Sequence, residues 1–222
     1  MRAAAMSAVA ADIRSADRLI VNSVAIQWKP NSNTIATTGL QLDYNWITMN
    51  NKGLIIVYTG NGKGKTTAAL GLAMRSAGWK NKVAIIQFIK GYKKTGEWKL
   101  IERLPEVDIY QTLDDQNRHI GKPVDKHRQA AKLALKLTKS IIKKGLHQVV
   151  ILDEINNAID HGLVEEGEIM KLIKERPVEV NLVFTGRGAP EYLIDQADLV
   201  TEMREIKHPF AKKIGVKKGI DY

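Results

Sequence analysis

Residues 60–67 read Gly60-Asn61-Gly62-Lys63-Gly64-Lys65-Thr66-Thr67; an apolar run, 53–58 (G-L-I-I-V-Y), precedes them and a helix-forming stretch, 65–77, continues from them. No other segment limits the possible folds as tightly. A strand, a glycine-rich turn and a helix in that order make a cradle for phosphate. Glycine lets the backbone curl close to an anion without Cβ clashes, N–H groups converge there, and the helix N-terminus adds partial positive charge. In this pattern Lys65 reaches the β- and γ-phosphates, and the Thr66 hydroxyl is placed to bind Mg²⁺. The usual loop carries a further glycine with four residues between it and Gly-Lys-Ser/Thr. Thr59 stands there, so the loop is a variant in which Gly60 and Gly62 supply the flexibility. Lys63 adds a second positive charge inside it.

Downstream, apolar segments alternate with amphipathic ones. Residues 82–88 and 107–112 read as strands, 125–144 as a long helix with Ala130, Leu133, Leu137 and Ile141 in one stripe, and 148–152 as a strand. A helix over 166–175, a strand over 180–184, a short helix from Pro190 and a strand over 199–203 complete the series. Apolar strands alternating with helices imply a parallel sheet covered on both faces. The expected fold is α/β, doubly wound and mainly parallel. Residues 1–48 show no sustained periodicity and carry only four basic and three acidic side chains, so they are read as an N-terminal extension preceding a P-loop domain over 49–222. Met49, directly before the first strong strand, is read as a natural start.

Two further sites lie where strands end. The run Val149-Val150-Ile151-Leu152-Asp153-Glu154 puts two carboxylates at the carboxyl edge of the sheet, where ligands of such folds sit and where acids can hold Mg²⁺. Spacing alone does not say which of Asp153 and Glu154 touches the metal. Thr185-Gly186-Arg187-Gly188 follows the 180–184 strand; Arg187 either neutralises phosphate oxygens or is a solvated turn residue. The segment Gln87-Phe88-Ile89-Lys90-Gly91 is likewise a site edge or a plain strand terminus.

Charge narrows the partners less than the motifs do. With 34 Lys+Arg against 24 Asp+Glu the formal charge is +10, which suits either nucleic acid or a small polyanion such as a nucleotide. Lys132, Lys136, Lys139 and Lys143 share a helix face and read as solvated; the tail cluster Lys212, Lys213, Lys217 and Lys218 contacts an anion or solvent; His208 reads as structural. There are no cysteines, hence no disulfides, thiolate metal sites or cysteine nucleophile, and no apolar run approaches the ~20 residues a membrane helix needs. A reducing, cytoplasmic setting is expected, with neither nucleic acid nor membrane as partner.

Beyond residue 53 the chain resembles the ATP:corrinoid adenosyltransferases. The match is carried by V-Y-T-G-N-G-K-G-K-T-T-A-A from Val57, I-I-Q-F-I-K-G from Ile85, V-I-L-D-E-I-N from Val150, V-F-T-G-R-G-A-P from Val183, A-D-L-V-T-E-M-R-E-I-K-H-P-F from Ala197 and the closing G-I-D-Y. The resemblance implies a RecA-like P-loop NTPase fold, often dimeric, which moves the 5′-deoxyadenosyl group of ATP to the Co(I) of a reduced corrinoid and releases inorganic triphosphate. It implies that residues 60–67 hold the phosphates, that Thr66 with Glu154 binds Mg²⁺ or alternatively Mn²⁺ with Asp153 adjacent, and that Lys65 and Arg187 act on the departing charge. An electron-donating reductase is implied as the source of Co(I). Some family members carry aromatic residues between the third strand and the long helix; the corresponding stretch here, 113–123, has none. Two other classes compete: a nucleic-acid-stimulated P-loop ATPase and a non-catalytic ATP/corrinoid carrier.

Overall fold

A computed structural model describes residues 36–37, 40–41, 52–91, 95–113 and 125–221. The chain divides into two units, Met1–Asn50 and Asn51–Tyr222. In the first, strands β1 (Ala36–Thr37) and β2 (Leu40–Gln41) pair antiparallel. The expectations for Met49 and for 114–123 lie outside the described residues.

The second unit alternates strand and helix. In chain order it runs β3 (Ile55–Thr59), α1 (Lys65–Gly78), β4 (Val83–Gln87), α2 (Gly96–Ile101), β5 (Val107–Gln111), α3 (Asp125–Lys144) and β6 (Val149–Asp153). It continues with α4 (Ile155–Asp160), α5 (Glu166–Glu175), β7 (Asn181–Thr185), α6 (Glu191–Gln196), β8 (Leu199–Glu202) and a 3-10 turn, Pro209–Lys212. The six strands form one sheet in the order β5-β4-β6-β7-β3-β8, and every pairing is parallel. The strand that feeds the glycine loop is therefore separated from the acidic strand β6 by β7 alone. All three end on the same edge.

Side chains alternate across the sheet and each set meets its own helices. Ile56, Ile85, Ile151 and Val183 pack against Ala69, Ala73 and Ala77 of α1, whose small side chains, one per turn, bring that helix close to the sheet. Val57, Ile86, Leu152 and Phe184 face the other way, onto α3, α4, α5 and α6. Both faces are thus covered, which explains why the central strands are continuous apolar runs. The doubly wound parallel α/β fold read from the sequence is the fold observed.

Helices α3 and α5 have the bounds the periodicity gives. Of the expected α3 stripe, Ala130 and Ile141 are buried and Leu137 packs against the core, while Leu133 is 54% exposed; Ala131, Ala134, Leu135, Thr138 and Ile142 complete the buried face. Alanines in the first turns let α3 lie close to β4, and the Thr138 hydroxyl donates to the Ala134 carbonyl at 2.8 Å, so a polar residue takes a core position. Lys132, Lys136 and Lys143 are exposed, and Lys139 pairs with Glu168 of α5. Helices α2 and α4, six residues each, are too short to leave a periodic signal.

At the edge opposite the glycine loop, Arg176 ties three segments. Its guanidinium donates to the carbonyls of Ile173, Val180 and Gly53 at 3.0–3.2 Å. Gly53 N–H donates to the Val178 carbonyl, and a Cβ on Gly53 would sit 2.3 Å from the Val180 backbone. Backbone cannot yield as a flexible side chain does. Gly53→Ala is expected to destabilise the domain by about 1–3 kcal/mol through this overpacking; urea unfolding checks it, and a loss below about 0.5 kcal/mol would contradict the close approach.

Candidate functional site

The glycine loop is shaped by what it packs on. Gly60 and Gly64 have φ of +94° and +120°, in the region that favours glycine. A Cβ on Gly60 would meet the Met203 carbonyl at 2.5 Å, and one on Gly62 would meet it at 2.7 Å. Gly62 N–H donates to that carbonyl, while Met203 N–H donates to the Thr59 carbonyl at 2.8 Å. The chain leaving edge strand β8 therefore forms the floor of the loop. Thr59, the departure from the usual loop, is buried, and its hydroxyl accepts from Ala189 N–H at 3.2 Å, linking the loop's start to the segment after Gly188.

Lys65 folds back over the loop. Its ammonium donates to the carbonyls of Gly60 and Gly62, both at 2.7 Å, which leaves a third N–H for an anion. Burial lowers its pKa, with Arg187 acting in the same sense and Glu154 opposing. Lys63 forms an ion pair with Asp221, whose other oxygen accepts from Lys217 N–H at 2.6 Å. The second charge of the loop is thus matched by a carboxylate from the C-terminal tail.

The acid pair divides sharply. Asp153, at the end of β6, is 1% exposed and accepts from four side chains. Oδ1 receives the hydroxyls of Thr66 at 2.9 Å and Thr185 at 2.8 Å; Oδ2 receives Gln87 at 3.2 Å and the Lys90 ammonium at 3.3 Å. Burial alone would raise its pKa, but Lys90 and the hydrogen bonds from Thr185, Thr66 and Gln87 hold it below the usual carboxylate range. Glu154 instead lines an open cavity. Burial and the neighbouring Asp153 charge push its carboxyl up, while Lys90, Lys65 and Arg187 pull it part of the way back. Its backbone is left-handed, φ +64° and ψ +19°, held by a hydrogen bond from its N–H to the Thr185 hydroxyl at 3.0 Å.

Arg187 reaches the same cavity from the loop after β7. Gly186 (φ +134°) and Gly188 (φ +61°) make the bend, and Arg187 N–H donates to Asn157 Oδ1 of α4 at 2.5 Å. The cavity holds about 850 Å³ and is lined by the loop from Asn61 to Thr67, by Lys90, Glu154, Asn157, Asp160, His161 and Arg187, and by His208 and 219–221 of the tail. All sequence-read site residues except Gly60 and Asp153 line it; Gly60 holds Lys65 through its carbonyl, and Asp153 lies behind Thr66. His208 lines the cavity, and its Nδ1 accepts from Phe210 N–H at 3.2 Å. Lys212, Lys213, Lys217 and Lys218 are exposed and do not line the cavity.

Sequence reasoning missed Asn157, Asp160 and His161, because α4 is a single short helix, and missed the return of the tail to Lys63. Oxygen donors around Thr66 and the acid pair form a hard set suited to Mg²⁺. Among the described residues no three His, Asp or Glu side chains cluster to form a cage.

A non-glycine residue at left-handed φ costs about 1–2 kcal/mol. Glu154→Asn, which tolerates that backbone and removes a buried charge beside Asp153, is expected to raise stability by about 1 kcal/mol in chemical unfolding. A loss of stability would show that the Glu154 side chain supports the fold instead.

Comparison with known proteins follows the same boundaries. The family model ATP:corrinoid adenosyltransferase BtuR/CobO/CobP matches residues 51–222. A corrinoid adenosyltransferase from Pseudomonas aeruginosa is 36% identical over 173 residues, covering 77% of this chain and 84% of that protein. One from Sinorhizobium sp. is 39% identical, covering 77% and 81%, and corrinoid adenosyltransferase CobA of Salmonella typhimurium is 36% identical over 178 residues, covering 77% and 86%. Among solved structures, a KaiC-like protein from Pyrococcus horikoshii OT3 aligns with a TM-score of 0.46 at 17% identity, over 70% of this chain and 75% of that one. On its family match and these relatives, the chain belongs to the ATP:corrinoid adenosyltransferases.

Proposed function

We propose that this cavity carries out the family's reaction, transfer of the 5′-deoxyadenosyl group of ATP to the Co(I) of a reduced corrinoid, with the work divided among the residues as follows. The supporting observation is convergence: the glycine loop, Glu154 and Arg187 reach one cavity of about 850 Å³ from three neighbouring strand ends.

Substrate Co(I) is itself the nucleophile, so no serine, cysteine or histidine attacker is needed. Its electron pair forms the bond to C5′, the C5′–O bond breaks with its pair on the triphosphate oxygen, and cobalt becomes formally Co(III). The protein has to fix ATP in line and stabilise the charge that gathers on the leaving triphosphate. Backbone N–H groups of residues 60–67 and the remaining N–H of Lys65 cradle the phosphates. Arg187, on a loop fixed by two glycines and Asn157, supplies a second cation. The Thr66 hydroxyl and Glu154 would hold Mg²⁺ or Mn²⁺, which when bound would supply positive charge to the triphosphate. Asp153 holds Thr66 in place from behind. A reductase supplying Co(I), a homodimeric assembly and a cytoplasmic setting belong to this reading by analogy with the family. No helix of the described residues is long and apolar enough to cross a membrane.

Anaerobic incubation with Mg-ATP and chemically reduced cob(I)alamin is expected to give adenosylcobalamin and intact triphosphate. Phosphate without a cobalt–carbon bond would make the chain an ordinary hydrolase. Lys65→Ala should lower kcat/KM for ATP by about 10²-fold or more, as losing a preorganised cation does; undiminished turnover would remove Lys65 from the site.

The two carboxylates should separate in a paired experiment. Glu154→Gln is expected to raise the Mg²⁺ concentration for half-maximal turnover by at least about tenfold without loss of thermal stability. Asp153→Asn leaves Lys90 without its buried counter-charge and should cost about 3–5 kcal/mol of stability. If Asp153→Asn shifts the Mg²⁺ requirement further than Glu154→Gln while remaining stable, the direct metal contact belongs to Asp153.

A further inference from the structure

The segment that leaves β8 meets the glycine loop twice. At its start the Met203 carbonyl accepts from Gly62 N–H, and Met203 N–H donates to the Thr59 carbonyl. At its far end Asp221 pairs with Lys63 and lines the cavity together with Gly219 and Ile220. The two ends are held differently. Met203 is tied backbone to backbone beneath the loop, whereas Asp221 reaches it through one side chain. Between them the apolar side chains are all exposed, Ile206, Phe210 and Ile220 by 70–80%. A stretch with so little apolar burial belongs to the least stable part of a fold.

The charges at the far end point the same way. Lys63 and Asp221 are 46% and 24% exposed, and ion pairs so open to water contribute little net stability. Asp221 also places a carboxylate on the wall of the cavity read as the triphosphate site, where like charge opposes the ligand. A triphosphate chain in the loop offers Lys63 several anionic oxygens in place of one carboxylate. Asp221 loses little by yielding, since its other oxygen keeps the Lys217 N–H and the carboxylate is open to water.

We propose that residues 204–221 form a displaceable strap on the phosphate loop, hinged at Met203, in which Asp221 and the triphosphate chain compete for Lys63. Nucleotide binding then frees the far end of the strap from the cavity wall. This rests on the nucleotide reading of the cavity given above. Because the competition is reciprocal, weakening the Asp221 contact tightens the ligand.

The experiment is calorimetric titration of the full chain with inorganic triphosphate in chelator, for wild type, Asp221→Asn, Lys63→Met and the double variant. Hydrogen exchange of the amides of residues 205–221 is followed with and without triphosphate. Asp221→Asn is expected to tighten triphosphate binding by about threefold to fivefold, and the gain should vanish in the Lys63→Met background. Triphosphate should speed exchange toward residue 221. Unchanged or weaker binding by Asp221→Asn would overturn the proposal and make Asp221 a residue that merely holds the loop. A gain that persists without Lys63 would overturn it too, since the carboxylate would then act through the general field of the cavity. Slower exchange in the strap would show it closing onto the ligand, the opposite of release. If wild type binds triphosphate and these expectations fail, the nucleotide site stands without the strap. If wild type does not bind triphosphate at all, both readings fail.

Discussion

The carboxylate of Asp153 is the point on which this site depends. It sits at the end of β6 and accepts from Thr66 at the head of α1, Gln87 and Lys90 on the segment leaving β4, and Thr185 at the end of β7. Every strand that brings chemistry to this edge is thereby tied to one buried group. Leaving such a carboxylate short of donors costs several kcal/mol, so the four contacts form together or are lost together. The network ties the first turn of the helix carrying Lys65 and Thr66 to the end of β6. It also explains why Thr185 is found where an apolar residue would otherwise close the strand: its hydroxyl gives to Asp153 and receives from Glu154 N–H.

From that node the division of labour between the acids follows. Asp153 is saturated and faces inward; Glu154, one residue on, has a left-handed backbone and faces the cavity, its carboxyl pushed up by burial and by Asp153. Adjacent carboxylates are thus placed differently, one holding the frame and one facing the cavity. The strain at Glu154 and the exposure of Arg187 lie on the same rim, and both are kept there by α4 and by the glycines at 186 and 188. Stability is spent at the rim and recovered beneath it, where Val57, Ile151, Leu152 and Phe184 are fully enclosed.

Much of this was legible in the residues. The strand–loop–helix order around residues 60–67 fixed the fold class, and apolar strands alternating with helices foretold a parallel sheet with both faces covered. The motif at 153–154 located the acids, but spacing carries no information on which way each carboxylate points. That depends on the Glu154 backbone dihedral and on Thr185, distant in sequence. On α3 only Leu133 departs from the expected stripe, because leucines weigh more than alanines in any hydrophobic pattern, whereas close packing against a sheet selects for small side chains such as Ala131 and Ala134. Asn157 and Asp221 were invisible for a similar reason: a single polar residue on a short helix or in a tail gains meaning only when the fold sets it beside Arg187 or Lys63.

A crystal structure of the chain with ATP and Mg²⁺ tests the central claim most directly. The account predicts triphosphate within the loop of residues 60–67, the cation on Thr66 and Glu154, and Asp153 still bonded to Thr66 and Thr185. Triphosphate elsewhere in the cavity, or Asp153 turned outward with its bond to Thr66 broken, would contradict it.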